Sequence, residues 1–101
     1  MKNVLLSADN NPSVYIVPDV VADNLQNYCL DFCVAWLRQS PNAEKYRLDN
    51  GSVCYDETDF IEYLNTWLFP NEKSTFFETL GCIKSKKSIP KKYRRCEWFN
   101  F

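Results

Sequence analysis

The hydrophobic pattern begins with two short apolar runs separated by turn-forming residues. The runs are NVLL at 3–6 and SVYIV at 13–17, and SADNNP lies between them. Short runs rich in Val, Ile and Tyr favour strands, whereas Asp, Asn and Pro favour turns. The first two segments are therefore predicted to form a β-hairpin.

The most periodic segment of the chain is 18–40, where apolar residues recur at helical spacing. Leu30 and Val34 widen the apolar arc, so that only a narrow polar arc remains. A helix of this kind is predicted to be central to the fold or to contact a second copy of the chain. Monomer and homodimer through this helix both stay open. Ser40-Pro41 ends the helix, because a residue that precedes proline disfavours helical geometry.

The next segments predict a second hairpin and a second helix. Within 44–56, the sequence Asp49-Asn50-Gly51 favours a tight turn, because these residues adopt positive φ angles readily. In 56–70, Asp56 is predicted to cap a helix whose first turn favours Glu57 and Asp59. The inward face of this helix is expected to hold Phe60, Ile61, Leu64, Trp67 and Leu68.

A short third helix is predicted over 71–81. Phe76, Phe77 and Leu80 would point inward, and Gly81 would provide the C-terminal cap. Together these elements predict an α+β fold: a small antiparallel sheet of three or four short strands packed on a central amphipathic helix, plus two shorter helices. We expect residues 1–101 to form a single compact domain.

Charge is distributed unevenly along the chain. Residues 1–81 hold five Lys or Arg and twelve Asp or Glu, a net charge of −7, whereas residues 82–101 hold seven Lys or Arg and one Glu, a net charge of +6. The segment 82–101, called here the basic strap, closes on the aromatic residues Trp98, Phe99 and Phe101. Large aromatic side chains rarely stay in water, so we expect these three to dock on the body and to hold the strap across it.

The basic strap has three interpretations that the sequence leaves open. It is a structural strap oriented by the acidic body, a nucleic-acid-binding surface along 84–95, or a surface for an acidic protein. Cations that neutralise phosphates bind nucleic acids without sequence specificity, and interleaved aromatics stack on unpaired bases. The candidate basic surface consists of Lys84, Lys86, Lys87, Lys91, Lys92, Arg94 and Arg95.

The body offers an alternative acidic surface. Its candidate residues are Asp56, Glu57, Asp59 and Glu62. Such a cluster could present negative charge to a basic groove of another protein, but the start of a helix also explains three of these acids.

Composition disfavours several classes of enzyme. The chain has no His and only two Gly, which excludes Ser-His and Cys-His nucleophile pairs and glycine-rich phosphate loops. Catalysis by Cys, Tyr or a carboxylate stays open. We expect no cofactor and no metal, because the five Cys lack the short spacing of structural zinc sites.

The cysteines also indicate a compartment. Their odd count and irregular spacing argue against a disulfide framework, so we expect free thiols in a reducing cytoplasm. The apolar run Val4–Leu6 is too short for a signal peptide, and no run reaches membrane-spanning length. If any thiol has a low pKa, we expect it to be Cys96, which follows Arg94 and Arg95.

Three functional hypotheses follow. The first is a cytoplasmic, non-enzymatic interaction or regulatory module that binds another protein, for example an accessory or inhibitor protein of a phage or mobile element. The second is a nucleic-acid-binding protein that uses the basic strap. The third is an enzyme centred on Cys, Tyr or a carboxylate.

Overall fold

The computed structural model describes residues 1–83 and 85–101 and, for Lys86, the backbone only. Over these residues the fold is α+β, as the sequence predicts. Four strands form one sheet in the order β3-β2-β1-β4: β1 (Lys2–Ser7), β2 (Ser13–Val17), β3 (Thr75–Thr79) and β4 (Trp98–Asn100). The predicted first hairpin is confirmed, since β1 and β2 pair antiparallel from Lys2 opposite Val17 to Leu6 opposite Ser13.

The sheet is mixed rather than purely antiparallel. β3 adds to β2 antiparallel, but β4 lies parallel to β1, with Leu5 opposite Trp98 and Ser7 opposite Asn100. The expectation of an antiparallel sheet was therefore wrong at this edge. A parallel neighbour requires a long connection, and here nearly the whole chain lies between the two strands.

The helical layer covers one face of the sheet. After α1 (Asp19–Asp23) the helix breaks at Asn24 and continues as α2 (Leu25–Leu30), a π-helical stretch (Asp31–Trp36) and α3 (Leu37–Gln39). A 3-10 segment (Pro41–Tyr46) follows. Then come α4 (Glu57–Tyr63) and a second π-helical stretch (Leu64–Leu68).

The start of α4 follows the prediction closely. Asp56 is the N-cap and accepts hydrogen bonds from the backbone N–H groups of Thr58 and Asp59. The Asp59 carboxylate in turn accepts the Asp56 backbone N–H at 2.9 Å, which completes a capping box. Phe60, Ile61 and Leu64 are buried as predicted, but Trp67 and Leu68 are 48% and 39% exposed, so the inward face of this helix is shorter than expected.

The predicted hairpin at 44–56 is reduced to its turn. Gly51 has a φ of +88°, and the Asn50 side chain accepts the Ser52 backbone N–H at 2.9 Å, as turn chemistry requires. The flanking residues make one isolated bridge, between Arg47 and Val53, and do not join the sheet.

The predicted third helix at 71–81 was wrong, because Thr75–Thr79 form the edge strand β3. The free edge of β2 supplies backbone partners, and TFFET is rich in residues that favour strands, so sheet pairing overrides a helix-compatible spacing. Phe76 and Phe77 are 58% and 53% exposed rather than inward, and Gly81 caps no helix. Asn65 helps to fix the start of the strand, since its side chain accepts the Ser74 N–H at 2.6 Å and donates to the Ser74 carbonyl at 3.0 Å.

Two hydrophobic clusters lie on opposite faces of the sheet. Val4, Leu6, Tyr15 and Val17 face the helices, in a cluster centred on Phe32. Leu5 and Val14 face the other way and are covered by residues of 80–98. The run VLL is thus buried on both sides, which explains why it lacks the alternation of a half-exposed strand. The face that carries Leu5 and Val14 is called here the outer face.

Candidate functional site

The basic strap crosses the outer face of the sheet. Ile89 and Tyr93 are 5% and 2% exposed and pack against Leu5 and Val14. Tyr93 ends a 3-10 turn (Lys91–Tyr93), and the Leu5 backbone N–H then donates to the Glu97 carbonyl at 2.8 Å, where the chain enters β4. Because the apolar side chains point inward, the described cations between them point to solvent.

The aromatic residues that end the strap contact both sides of the sheet. On the outer face, the Trp98 indole N–H donates to the hydroxyl of Ser7 at 2.9 Å, and that hydroxyl donates to the Asn100 side chain at 2.6 Å. On the helical face, the Phe101 ring centroid lies 5.5 Å from that of Phe60, and Phe99 packs against the same cluster. These contacts place the residues just before β4 at a defined position beside β1.

The charges of the strap are only partly neutralised by the body. Lys92 Nζ lies 3.6 Å from the Glu78 carboxylate, which also accepts the Tyr93 hydroxyl, and both contacts lower the pKa of Glu78. Glu78 is the single body acid that pairs with the strap among the described residues. The charge pairing expected for a purely electrostatic strap is therefore limited to this contact.

The remaining described cations fall into two groups. The first group is Arg94, whose guanidinium donates hydrogen bonds to the backbone carbonyls of Ile89 and Lys87 at 2.9 and 3.1 Å. Lys87, Lys91 and Arg95 are exposed and make no ion pair within the part of the chain that the structure describes. These three residues are called here the cationic surface. Of the other predicted residues, Lys84 and the Lys86 side chain lie outside the described residues.

A cleft of about 590 Å³ opens between the strap and the edge of the sheet. Its walls combine apolar side chains (Leu5, Ile89 and Trp98) with cationic ones (Lys87, Arg94 and Arg95), and Cys96 and Glu97 complete the lining. The sequence indicated the cations but not the cleft, because Trp98 and Leu5 meet only through the parallel pairing of β4 with β1. Burial raises the pKa of Cys96, so the expectation of a low-pKa thiol at this position was wrong.

The acidic residues predicted as an alternative surface are mostly engaged within the fold. Asp56 and Asp59 form the capping box of α4. Glu62 accepts hydrogen bonds from Lys45 and from the Tyr46 hydroxyl, each at 3.3 Å. Burial raises the pKa of Glu57 and of Asp59. The four acids lie along α4, in the helical layer.

A second, aromatic surface lies on the helical layer. The Trp36 ring centroid is 4.9 Å from that of Tyr63 and 6.4 Å from that of the exposed Trp67, next to an open groove of about 390 Å³. Both π-helical stretches contribute to it, and such stretches are frequent at functional sites. The sequence did not indicate this surface, since Trp67 fits the inward face of an amphipathic helix.

The cysteines are dispersed. Cys29 is buried, Cys33 and Cys96 are half-buried, and Cys54 and Cys82 are exposed, all as free thiols. Within 1–83 and 85–101, no three Cys, Asp or Glu side chains come together in a way that would hold a metal ion.

Comparison with known proteins gives no further guide to function. No protein-family model, curated protein or solved structure matches this chain. Among the described residues, no helix is both long enough and apolar enough to cross a lipid bilayer.

Proposed function

We propose that this protein is a non-enzymatic interaction module that binds nucleic acid through its cationic surface. The observation that carries the proposal is that Lys87, Lys91 and Arg95 stay unpaired, within the described part of the chain, next to a cleft walled by Trp98. Lys and Arg side chains that form no ion pair within the protein can bind phosphate groups. The acidic residues of α4 belong to the opposite, helical layer, so their charge is kept away from this surface.

The expected binding mode is contact with the phosphate backbone, without base sequence specificity. The cationic surface provides three charges within nine residues, and the buried side chains of Ile89 and Tyr93 fix this segment on the outer face of the sheet. We further propose that the protein acts in the cytoplasm, where its five thiols stay reduced.

A protein partner is the second candidate, and the aromatic surface favours it. Trp67 is 48% exposed, and its ring centroid lies 6.4 Å from that of Trp36. Exposed Trp side chains are enriched among the residues that dominate protein–protein binding. Catalysis is not proposed, because the one thiol in the cleft, Cys96, has a raised pKa that disfavours the reactive thiolate.

The proposal is tested by fluorescence anisotropy with a labelled 12-nucleotide DNA strand and with a 12-base-pair duplex. Replacing the cationic surface (K87Q, K91Q and R95Q together) is expected to weaken binding of both about tenfold or more. The matched control removes three exposed cations from the body (R38Q, K45Q and K73Q), which changes net charge equally. Equal loss in both variants would indicate a non-specific charge effect, and absence of binding by the wild type would refute the proposal.

A further inference from the structure

The cleft beside Trp98 combines cationic side chains with an aromatic ring, and binding to phosphates alone would not require the ring. A phosphate needs cations, and the cleft supplies Arg95 and Lys87. The partly exposed indole of Trp98 adds an apolar wall, which suits a planar ring, whereas Leu5 and Ile89 also line the cleft but are almost fully buried. A volume of about 590 Å³ is within the usual range for small-ligand sites and is large enough for one nucleotide.

We propose that this cleft is a binding site for one unpaired nucleotide, with the base stacked on Trp98 and its phosphate held by Arg95 and Lys87. The inference rests on the proposed function and names the form of nucleic acid that it selects. Bases in a duplex are stacked on each other and cannot enter a cleft, whereas the bases of a single strand can. The protein therefore prefers single-stranded nucleic acid.

The side chains of the cleft are already held in place. The indole N–H of Trp98 is used by the Ser7 hydroxyl at 2.9 Å, so the indole presents its ring rather than a donor to a ligand. The guanidinium of Arg94 is fixed by two backbone carbonyls, and it forms part of the wall. Arg95 and Lys87 have no such contact among the described residues and are the cations that can reach a phosphate. Because the aromatic wall is already fixed, only these two side chains lose freedom on binding.

Glu97 restricts the orientation of the nucleotide in the cleft. Its side chain lines the same cleft, and a carboxylate repels a phosphate but accepts a hydrogen bond from the exocyclic amino group of a base. We therefore expect the phosphate to contact Lys87 and Arg95 rather than Glu97, and the base to contact Trp98.

The test compares Trp98→Leu and Trp98→Phe in binding to the labelled 12-nucleotide strand and to the duplex. We expect W98L to lose about tenfold or more in affinity for the strand, W98F to keep most of it, and the duplex to bind equally to all three proteins. Equal strand affinity in W98L and wild type would overturn the inference. The proposed function would still stand if K87Q/K91Q/R95Q weakened binding, and it would fail with the inference if the wild type bound neither probe.

A second measurement uses the unmodified protein, in case W98L does not fold. Ultraviolet cross-linking of the 12-nucleotide strand, followed by mass spectrometry of the peptides, is expected to place the adduct within 94–98. Adducts confined to other segments would overturn the inference, whether or not W98L folds.

Discussion

The indole N–H of Trp98 donates to the hydroxyl of Ser7 across the parallel pair of β4 and β1, at a distance of 2.9 Å. These two residues are separated by 91 positions in the chain. Their contact, together with the burial of Ile89 and Tyr93, closes the strap over the outer face and shapes the cleft.

Ser7→Ala is expected to lower the free energy of unfolding by about 1–3 kcal/mol, because the partly buried indole N–H and the Asn100 amide lose their shared partner. Urea unfolding measures the change. Ser74→Ala is the matched control: its hydroxyl is buried and has no hydrogen-bond partner among the described residues, so its removal should be neutral or slightly stabilising. Equal destabilisation by the two substitutions would show that the Ser7 hydroxyl contributes nothing specific.

Tyr93→Phe removes the hydroxyl that donates to Glu78 and should produce a pH-dependent loss of stability. The Tyr93 hydroxyl, with Lys92, lowers the pKa of Glu78 below its ordinary value of 4.5. The stabilisation is therefore fully present above pH 4.5 and is lost as the pH falls through the lowered pKa of the folded state. Wild type and Y93F should differ in urea midpoint at pH 7 and converge in acid. Tyr28→Phe, whose hydroxyl makes no hydrogen bond to the described residues, should leave a difference from wild type that is constant with pH.

Asp56→Ala removes the N-cap of α4 and is expected to cost about 1 kcal/mol of unfolding free energy. Asp31→Ala makes the same change of charge at an exposed position whose carboxylate accepts no hydrogen bond from the described residues, and it should have a smaller effect. If the two variants unfold at the same urea concentration, the capping box does not stabilise the helix as its geometry implies.

Glu97→Gln is expected to tighten binding of the 12-nucleotide strand about two- to fivefold, because it removes the acid of the cleft, and exposed charges interact weakly. Glu72→Gln, an exposed acid outside the strap, provides the control and should change affinity less. Anisotropy measures both. Weaker binding by E97Q would contradict this prediction, because it would show that the hydrogen bond from the base to the carboxylate outweighs the repulsion of the phosphate.

Val34→Lys addresses contact between copies of the chain. Val34 is 58% exposed and Leu30, four residues before it, is 39% exposed, so an apolar patch remains on the helical segment through which a homodimer stays open. Light scattering is expected to show a mass above that of the monomer for wild type and the monomer mass for V34K. If the wild type has the mass of a monomer at every concentration, the prediction of a homodimer is wrong, and the apolar patch would have to contact a different partner.

Local sequence signals predicted the parts of the fold that depend on neighbouring residues. The β1–β2 hairpin follows from two apolar runs around turn formers, and the start of α4 follows from Asp56 and Asp59. Both rest on contacts within a few residues, where side-chain type decides the outcome.

The elements that were mispredicted depend on distant partners. Phe76, Phe77 and Leu80 fit a helical spacing, but the edge of β2 made their segment a strand. Similarly, the seven cations of the strap are visible in the sequence, whereas the cleft exists only because β4 pairs with β1. No periodicity in either segment encodes that pairing.

The most direct test of nucleic-acid binding by the cationic surface is the salt dependence of affinity for the 12-nucleotide strand. If Lys87, Lys91 and Arg95 each neutralise a phosphate, the logarithm of the association constant should fall linearly with the logarithm of salt concentration. The slope should be smaller in magnitude by about 2 in K87Q/K91Q/R95Q than in wild type. The same slope in both proteins, or an affinity that does not depend on salt, would contradict the account.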